Sequence, residues 1–319
     1  MTREQSYNIA FQKKREGLAH KKATFDAAIN NLHNTNPDFA KISTRLSQLG
    51  ATLATTAIAG DTATVKALQS EMTELSTARA AILQSCGIGG IDFDCKQCKD
   101  TGYINGKICD CIHNTAKCFM IDSMSKKVPL YNCRFENFDL SYYDDQKTGE
   151  TTPRKRMSGI LQLCREYAAN FDPNNSQSLL FMGNTGLGKT HLTLAIVYEL
   201  LSRGYNVLYS SAYNMFTDME KEHFGQHTNT LYKEAINCEL LVIDDLGGEF
   251  VTQYVQSLLY NIVNTRILAN KPTIVNTNLS IAEIAEKYTP RVSSRFVGDY
   301  KMKRFIGNDI RQLKALEKK

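Results

Sequence analysis

Residues 183–190 read GNTGLGKT, and this octapeptide restricts the possible fold more than any other stretch of the chain. It fits G-x-x-x-x-G-K-[ST], in which the glycines let backbone N–H groups converge on phosphate oxygens. Such a loop needs a buried strand before it and a helix after it, whose N-terminus adds partial positive charge. Both flanks comply: SLLFM at 178–182 reads as a short buried strand, and a helix is predicted over 189–202. Gly183, Asn184, Thr185, Gly186, Leu187, Gly188, Lys189 and Thr190 are therefore the expected phosphate loop of an ATP site. In it Lys189 would neutralise the β- and γ-phosphates, and the Thr190 hydroxyl would ligate Mg²⁺.

About 50 residues further on, LLVIDD at 240–245 is an apolar run ending in two aspartates. A carboxylate at the C-terminal edge of such a strand reaches Mg²⁺ directly or through water, which is the expected role of Asp244. Asp245 stands where many ATPases carry Glu, and would orient or deprotonate the attacking water with a side chain one methylene shorter. TIVNTN at 273–278 is a further strand whose polar end would lie near the γ-phosphate; Asn278 is the first choice there and Asn276 the alternative. Strands at 178–182, 205–209, 239–243 and 273–276 alternate with helices at 189–202 and about 251–269. Such alternation predicts a parallel sheet with helices on both faces. Beyond it come a short helix opened by Thr289 and Pro290, a strand-like 301–306 and a last helix from Asn308. Arg295 and Arg311 are suited to bidentate phosphate contact; on sequence alone each reads first as a surface residue.

Four of nine cysteines fall within 17 residues, as Cys95-x-x-Cys98 and Cys109-x-Cys111 around a Gly-containing loop. Two ligand pairs so spaced suit a tetrahedral thiolate site for Zn²⁺, closed and therefore structural. The bite of Cys109 and Cys111 is short, so His113 is an alternative ligand to either. Free thiols and an iron–sulfur cluster are the competing readings.

The first 86 residues read as helix. Phe39, Ile42, Leu46, Leu49 and Leu53 form one apolar stripe, and Val65, Leu68, Met72, Leu75 and Ile82 another. Between them Gly60 can take a left-handed C-cap and Asp61 can cap the next helix, which predicts an antiparallel hairpin. The expected division is 1–86 helical, 87–126 a zinc knuckle, 127–152 a linker containing Pro129, Tyr142, Tyr143 and Gly149, and 153–319 the ATPase. No stretch approaches the roughly 18 apolar residues of a membrane helix, and the polar, basic N-terminus lacks a secretory apolar segment. A cytoplasmic location with no membrane partner is expected. Net charge is only +5, but residues 301–319 hold Lys301, Lys303, Arg304, Arg311, Lys314, Lys318 and Lys319 against two acidic residues. That suits phosphate or nucleic acid as much as a solvated face.

Taken together, GNTGLGKTHL, LLVIDDLGGE, TIVNTNLS, RVSSRF and GNDIR stand in the order of the bacterial helicase loaders of the DnaC/DnaI type, within the AAA+ ATPases. CKQCKDTGYINGKICDC after a helical hairpin, and FENF at 135–138, also resemble that family. The resemblance implies a five-stranded AAA+ sheet, ATP hydrolysis and ATP sites shared between self-associating subunits. It maps Arg295 to an arginine finger reaching a neighbour's nucleotide, and Arg311 to a sensor contacting nucleotide in its own subunit. It assigns the N-terminal helices and knuckle to a hexameric replicative DNA helicase, and 211–233 to single-stranded DNA. Asp245 departs from the family's Glu, which bears on the hydrolysis rate. Rival readings are a transposition helper with the same core, which usually lacks a four-cysteine knuckle, and a nucleotide-locked scaffold that barely turns over. A replication initiator would need a double-stranded DNA-binding domain, and only eight residues follow Arg311.

Overall fold

The structure is a computed structural model that describes residues 2–146, 151–225 and 230–317. Gly149, Lys318, Lys319 and part of the 211–233 stretch lie outside the described residues. The chain divides into two compact units, one of residues 8–112 and the other of residues up to Tyr7 and from His113 onward.

In the first unit, α1 (Arg3–Thr35, entering from the other unit), α2 (Pro37–Ile58) and α3 (Thr62–Ser85) are long helices. Asn36 caps α2 by accepting the N–H groups of Asp38 and Phe39 at 3.1 and 3.0 Å. The α2–α3 hairpin turns as expected: Gly60 is left-handed at φ +79°, and the Asp61 carboxylate accepts the Thr64 N–H at 3.1 Å. Phe39 and Leu49 are buried and the other stripe positions are half-buried, with the Arg79 guanidinium 5.3 Å over the Phe39 ring. A small antiparallel pair follows, β1 (Tyr103–Ile104) and β2 (Lys107–Ile108).

The second unit is built on a five-stranded parallel sheet. Its strands are β3 (Ser178–Met182), β4 (Val207–Ser211), β5 (Leu240–Leu246), β6 (Thr273–Thr277) and β7 (Tyr300–Arg304), in spatial order β4-β5-β6-β3-β7. Side-chain alternation sorts the sheet between two cores. Leu179, Phe181, Leu240, Val242 and Ile274 face one, with α5 (Pro153–Ala169) and α6 (Lys189–Ser202). Leu180, Leu241, Ile243 and Val275 face the other, with α7 (Ala212–Phe224), α8 (Thr230–Asn237), α9 (Gln253–Leu268), α10 (Ile281–Lys287) and α11 (Pro290–Asp299). Two further helices, α4 (Asp110–Ser125) and α12 (Ile310–Glu317), complete the set.

Three local readings need correction. Helix α4 begins at Asp110 inside the stretch read as an aperiodic knuckle. Helices α7 and α8 add to the elements expected between the second and third strands. Residues 127–152, read as a linker from their composition, contribute Leu130, Phe135, Phe138 and Tyr143 to the core. The physical reason is burial: four large apolar side chains spaced along an irregular segment pack without needing a helical period.

Arg266 at the end of α9 is fully buried. Its guanidinium donates to the carbonyls of Ala235 (2.7 Å), Cys238 (3.0 Å) and Pro272 (2.6 Å) and to the Thr273 hydroxyl (2.9 Å). Carbonyls at the C-terminal end of α8 thus offset a buried charge, where partial negative charge accumulates.

Candidate functional site

The phosphate loop leaves β3 at Met182 and enters α6 at Lys189. Its shape depends on glycine at two close approaches. At Gly188 (φ +87°) a Cβ would meet Phe138 at 2.8 Å and the Tyr143 hydroxyl at 2.9 Å; at Gly183 (φ +141°) it would meet the Phe305 carbonyl oxygen at 2.6 Å. Either substitution combines a clash with a backbone that side chains disfavour.

Around the loop lies a cavity of about 510 Å³ lined by residues 185–190, Asp244, Asp245, Asn278 and Arg311. Lys189 Nζ donates to the carbonyl oxygens of Gly183 (2.6 Å) and Asn184 (2.8 Å) and to Asn278 Oδ1 (2.5 Å). Burial pushes the Lys189 ammonium down to about 8, against the upward pull of Asp245 and Asp244, while Arg311 adds to the depression. The Thr190 hydroxyl donates to Asp244 Oδ1 at 3.2 Å, which sets the two expected Mg²⁺ ligands side by side. Asp244 is held further by Asn276 Nδ2 (2.6 Å) and by the Tyr209 hydroxyl (2.5 Å). Burial first, then the Asp244 charge, raises the Tyr209 phenol well above its ordinary value, so it stays a neutral donor.

The alternation of β5 breaks between Ile243 and Leu246, where the register with β6 shifts. Asp245 sits in that break with φ +55°, exposed, and accepts from Asn278 Nδ2 at 3.2 Å. The two asparagines of β6 and its exit therefore differ. Asn276 is buried between Asp244 and the Thr193 hydroxyl (3.0 Å), whereas Asn278 bridges Lys189 and Asp245 in the cavity. Arg295 stands elsewhere: it lies beside Tyr260, Pro290, Arg291 and Ser294, and its Nε donates to Asn264 Oδ1 at 3.1 Å.

Sequence reasoning assigned no site role to one wall. Pro129, Cys133, Asn137, Phe138, Asp139 and Tyr142 line the same cavity, as do Ile310 and Lys314 of α12. The Tyr143 hydroxyl donates to the Leu187 carbonyl at 3.0 Å, Phe138 meets the His191 ring edge-on at 5.4 Å, and the Ile310 N–H reaches the Gly186 carbonyl at 3.1 Å. The available signal was FENF followed by a tyrosine pair, an aromatic density unusual for a spacer.

In the other unit, Cys95, Cys98, Cys109 and Cys111 bring their sulfurs within 4.8 Å of one another. The separations are 3.8 Å for Cys95 to Cys109 and 3.6 Å for Cys98 to Cys111. Four sulfurs at tetrahedral corners about 2.3 Å from zinc stand about 3.8 Å apart, so the donor set fits that metal. Backbone N–H groups of Cys98 and Gln97 aimed at its sulfur help lower the Cys95 thiol to about 7, toward the thiolate that a metal requires. His113 is not in the cluster; its Nδ1 pairs with the Tyr7 hydroxyl at 2.5 Å.

A family model described as IstB-like ATP binding protein matches residues 164–293. The replicative helicase loader DnaC of Escherichia coli (strain K12) is 31% identical over 170 residues, covering 52% of this chain and 64% of that protein. The replicative helicase loader DnaC of Buchnera aphidicola subsp. Baizongia pistaciae (strain Bp) is 28% identical over 151 residues, covering 46% and 56%. The match thus spans less than two thirds of these relatives' length. A crystal structure of the DnaC helicase loader aligns over 56% of this chain and 99% of that one, at 22% identity and a TM-score of 0.47. The phosphate loop after β3 and the acid-tipped β5, separated from it by β6, define a P-loop nucleotide-binding domain. Within that class, residues 164–293 are similar to the IstB-like ATP binding proteins, and the wider match is to proteins named replicative helicase loader DnaC. Among the described residues, no helix is long and apolar enough to cross a membrane.

Proposed function

We propose that this protein is an ATP-dependent loader of a replicative DNA helicase, binding ATP with Mg²⁺ and contacting single-stranded DNA. The observation that carries the nucleotide part is the convergence of Lys189, Thr190, Asp244, Asp245 and Asn278 on one cavity. In this reading Lys189 leaves its two carbonyl partners for the phosphates, Thr190 and Asp244 hold Mg²⁺, and Arg311 contacts nucleotide within the subunit. Asn278 and Asp245 position the attacking water. Arg295, away from this cavity, would serve a neighbouring subunit's site, which makes self-association part of the mechanism. Zn²⁺ on the four cysteines would staple the unit that grips the helicase. The similarity to proteins named replicative helicase loaders supports the assignment, and the cysteine cluster favours it over a transposition helper with the same core.

The test is capture of a purified hexameric replicative helicase by the full chain, with ATP and single-stranded DNA. Capture that Cys95→Ser abolishes while ATP binding persists is the expected result. ATP binding without helicase capture would remove the loader reading. Hydrolysis in a single turnover, with and without single-stranded DNA, separates a working ATPase from a nucleotide-locked scaffold.

A further inference from the structure

We infer that Asp100 is a positioning residue of the thiolate site, holding the Cys95 half of the cluster in its ligating shape; this rests on the zinc reading above. Asp100 is not a ligand, yet its residue is only 1% exposed. Each carboxylate oxygen takes one backbone N–H and one ammonium. Oδ1 accepts the Cys95 N–H at 2.8 Å and Lys14 Nζ at 2.8 Å; Oδ2 accepts the Asp94 N–H at 2.9 Å and Lys21 Nζ at 3.3 Å. A buried carboxylate beside four sulfurs is unfavourable unless it is paired and fully bonded. Here all four partners are present, and two of them belong to the backbone that carries the first ligand.

The local backbone gives the same indication. Lys99 (φ +48°) and Asp100 (φ +62°) are consecutive left-handed residues, neither of them glycine. That conformation is disfavoured for both and is kept because it turns the Asp100 carboxylate back under residues 94 and 95. With the Cys95 N–H fixed, the Cys95 sulfur faces the N–H groups of Gln97 and Cys98. Lys14 and Lys21, which also pair with the Asp94 carboxylate at 3.4 and 2.5 Å, add positive charge beside a centre that would be dianionic with Zn²⁺ bound, and they join α1 to the cluster through both carboxylates. Groups that orient ligands in this way typically change metal affinity when removed.

The experiment is zinc affinity of the full chain, read by competition with a chromophoric chelator, with ATP binding as the folding control. Asp100→Asn keeps the shape but loses an acceptor and the charge. It should weaken zinc about 10–100-fold while leaving ATP binding unchanged. The double variant Lys14→Met, Lys21→Met keeps both N–H contacts and should lose distinctly less. Should D100N not fold, Asp100→Glu carries the same expectation, since the longer side chain cannot place both oxygens on the two N–H groups. Wild-type zinc affinity in D100N overturns the inference. So does a double-lysine variant as weak as D100N, because Asp100 would then merely anchor α1. A wild-type chain that holds no zinc overturns the metal reading itself, and the inference with it.

Discussion

Lys189 is the residue on which the nucleotide reading turns, and its surroundings give it a pH signature. Burial lowers it to about 8. A bound triphosphate favours the charged form and so raises that value. Binding then takes up a proton wherever the free lysine is neutral. ATP affinity should be nearly flat from pH 7 to about 7.5 and should fall by about tenfold per unit above 8, since one pKa unit is a factor of ten in the equilibrium. Calorimetric titration from pH 7 to 9.5 measures this, with Lys189→Ala expected to bind hardly at all. A flat profile, or an alanine variant within a few-fold of wild type, would place the phosphate elsewhere. Asn276 and Asn278 show how much a residue's role depends on what strand pairing cannot reveal. Both stand at the end of one strand, and only the structure separates a buried clamp on Asp244 from an exposed side chain that bridges Lys189 and Asp245.

Among elements, the segment from Leu130 to Tyr143 is the least regular and one of the most consequential. Phe138 lies against the space that a side chain on Gly188 would need, and Tyr143 holds the Leu187 carbonyl. Phe138→Ala should cost about 3–5 kcal/mol of stability, the usual range for a buried Phe, and should weaken ATP binding at the same time. Phe250→Ala, at an exposed position, should do neither; thermal melts with and without ATP distinguish the two. Unchanged nucleotide affinity in a destabilised F138A would make the segment mere packing. The parallel sheet, the helix at 189–202 and the hairpin turn at Gly60 were legible because periodicity and capping act locally. The 130–143 wall was not, because its packing partners lie on α6 and beyond β7, and no local pattern encodes a contact made across 40 or more residues. Helix α4 was missed for a related reason: cysteines selected for ligand spacing hid the helical start at Asp110.

At the scale of the whole molecule, the proposed self-association divides the proposed catalytic site between two subunits. Arg295 bonds Asn264 away from the cavity, and its proposed partner is a neighbour's γ-phosphate. Arg295→Ala should bind ATP almost normally yet lose hydrolysis by roughly 10³-fold or more, the scale of an arginine finger. Mixing it with Lys189→Ala subunits should restore part of the ATPase rate, since an intact phosphate loop then faces an intact arginine at some interfaces. No restoration in demonstrably assembled mixtures would leave Arg295 a surface residue.

The cavity is also closed by residues made at very different times. The phosphate loop takes one support from Tyr143 and another from the Phe305 and Ile310 backbone, where the Phe305 N–H meets the Met182 carbonyl at 2.7 Å. Synthesis proceeds from the N-terminus at roughly 5–20 residues per second, so residues 305–310 follow the loop off the ribosome by several seconds. During that interval the nascent chain carries its lysine and glycines without the strand and helix that frame them. The frame around the phosphate loop is therefore completed only after all five strands of the sheet have been made.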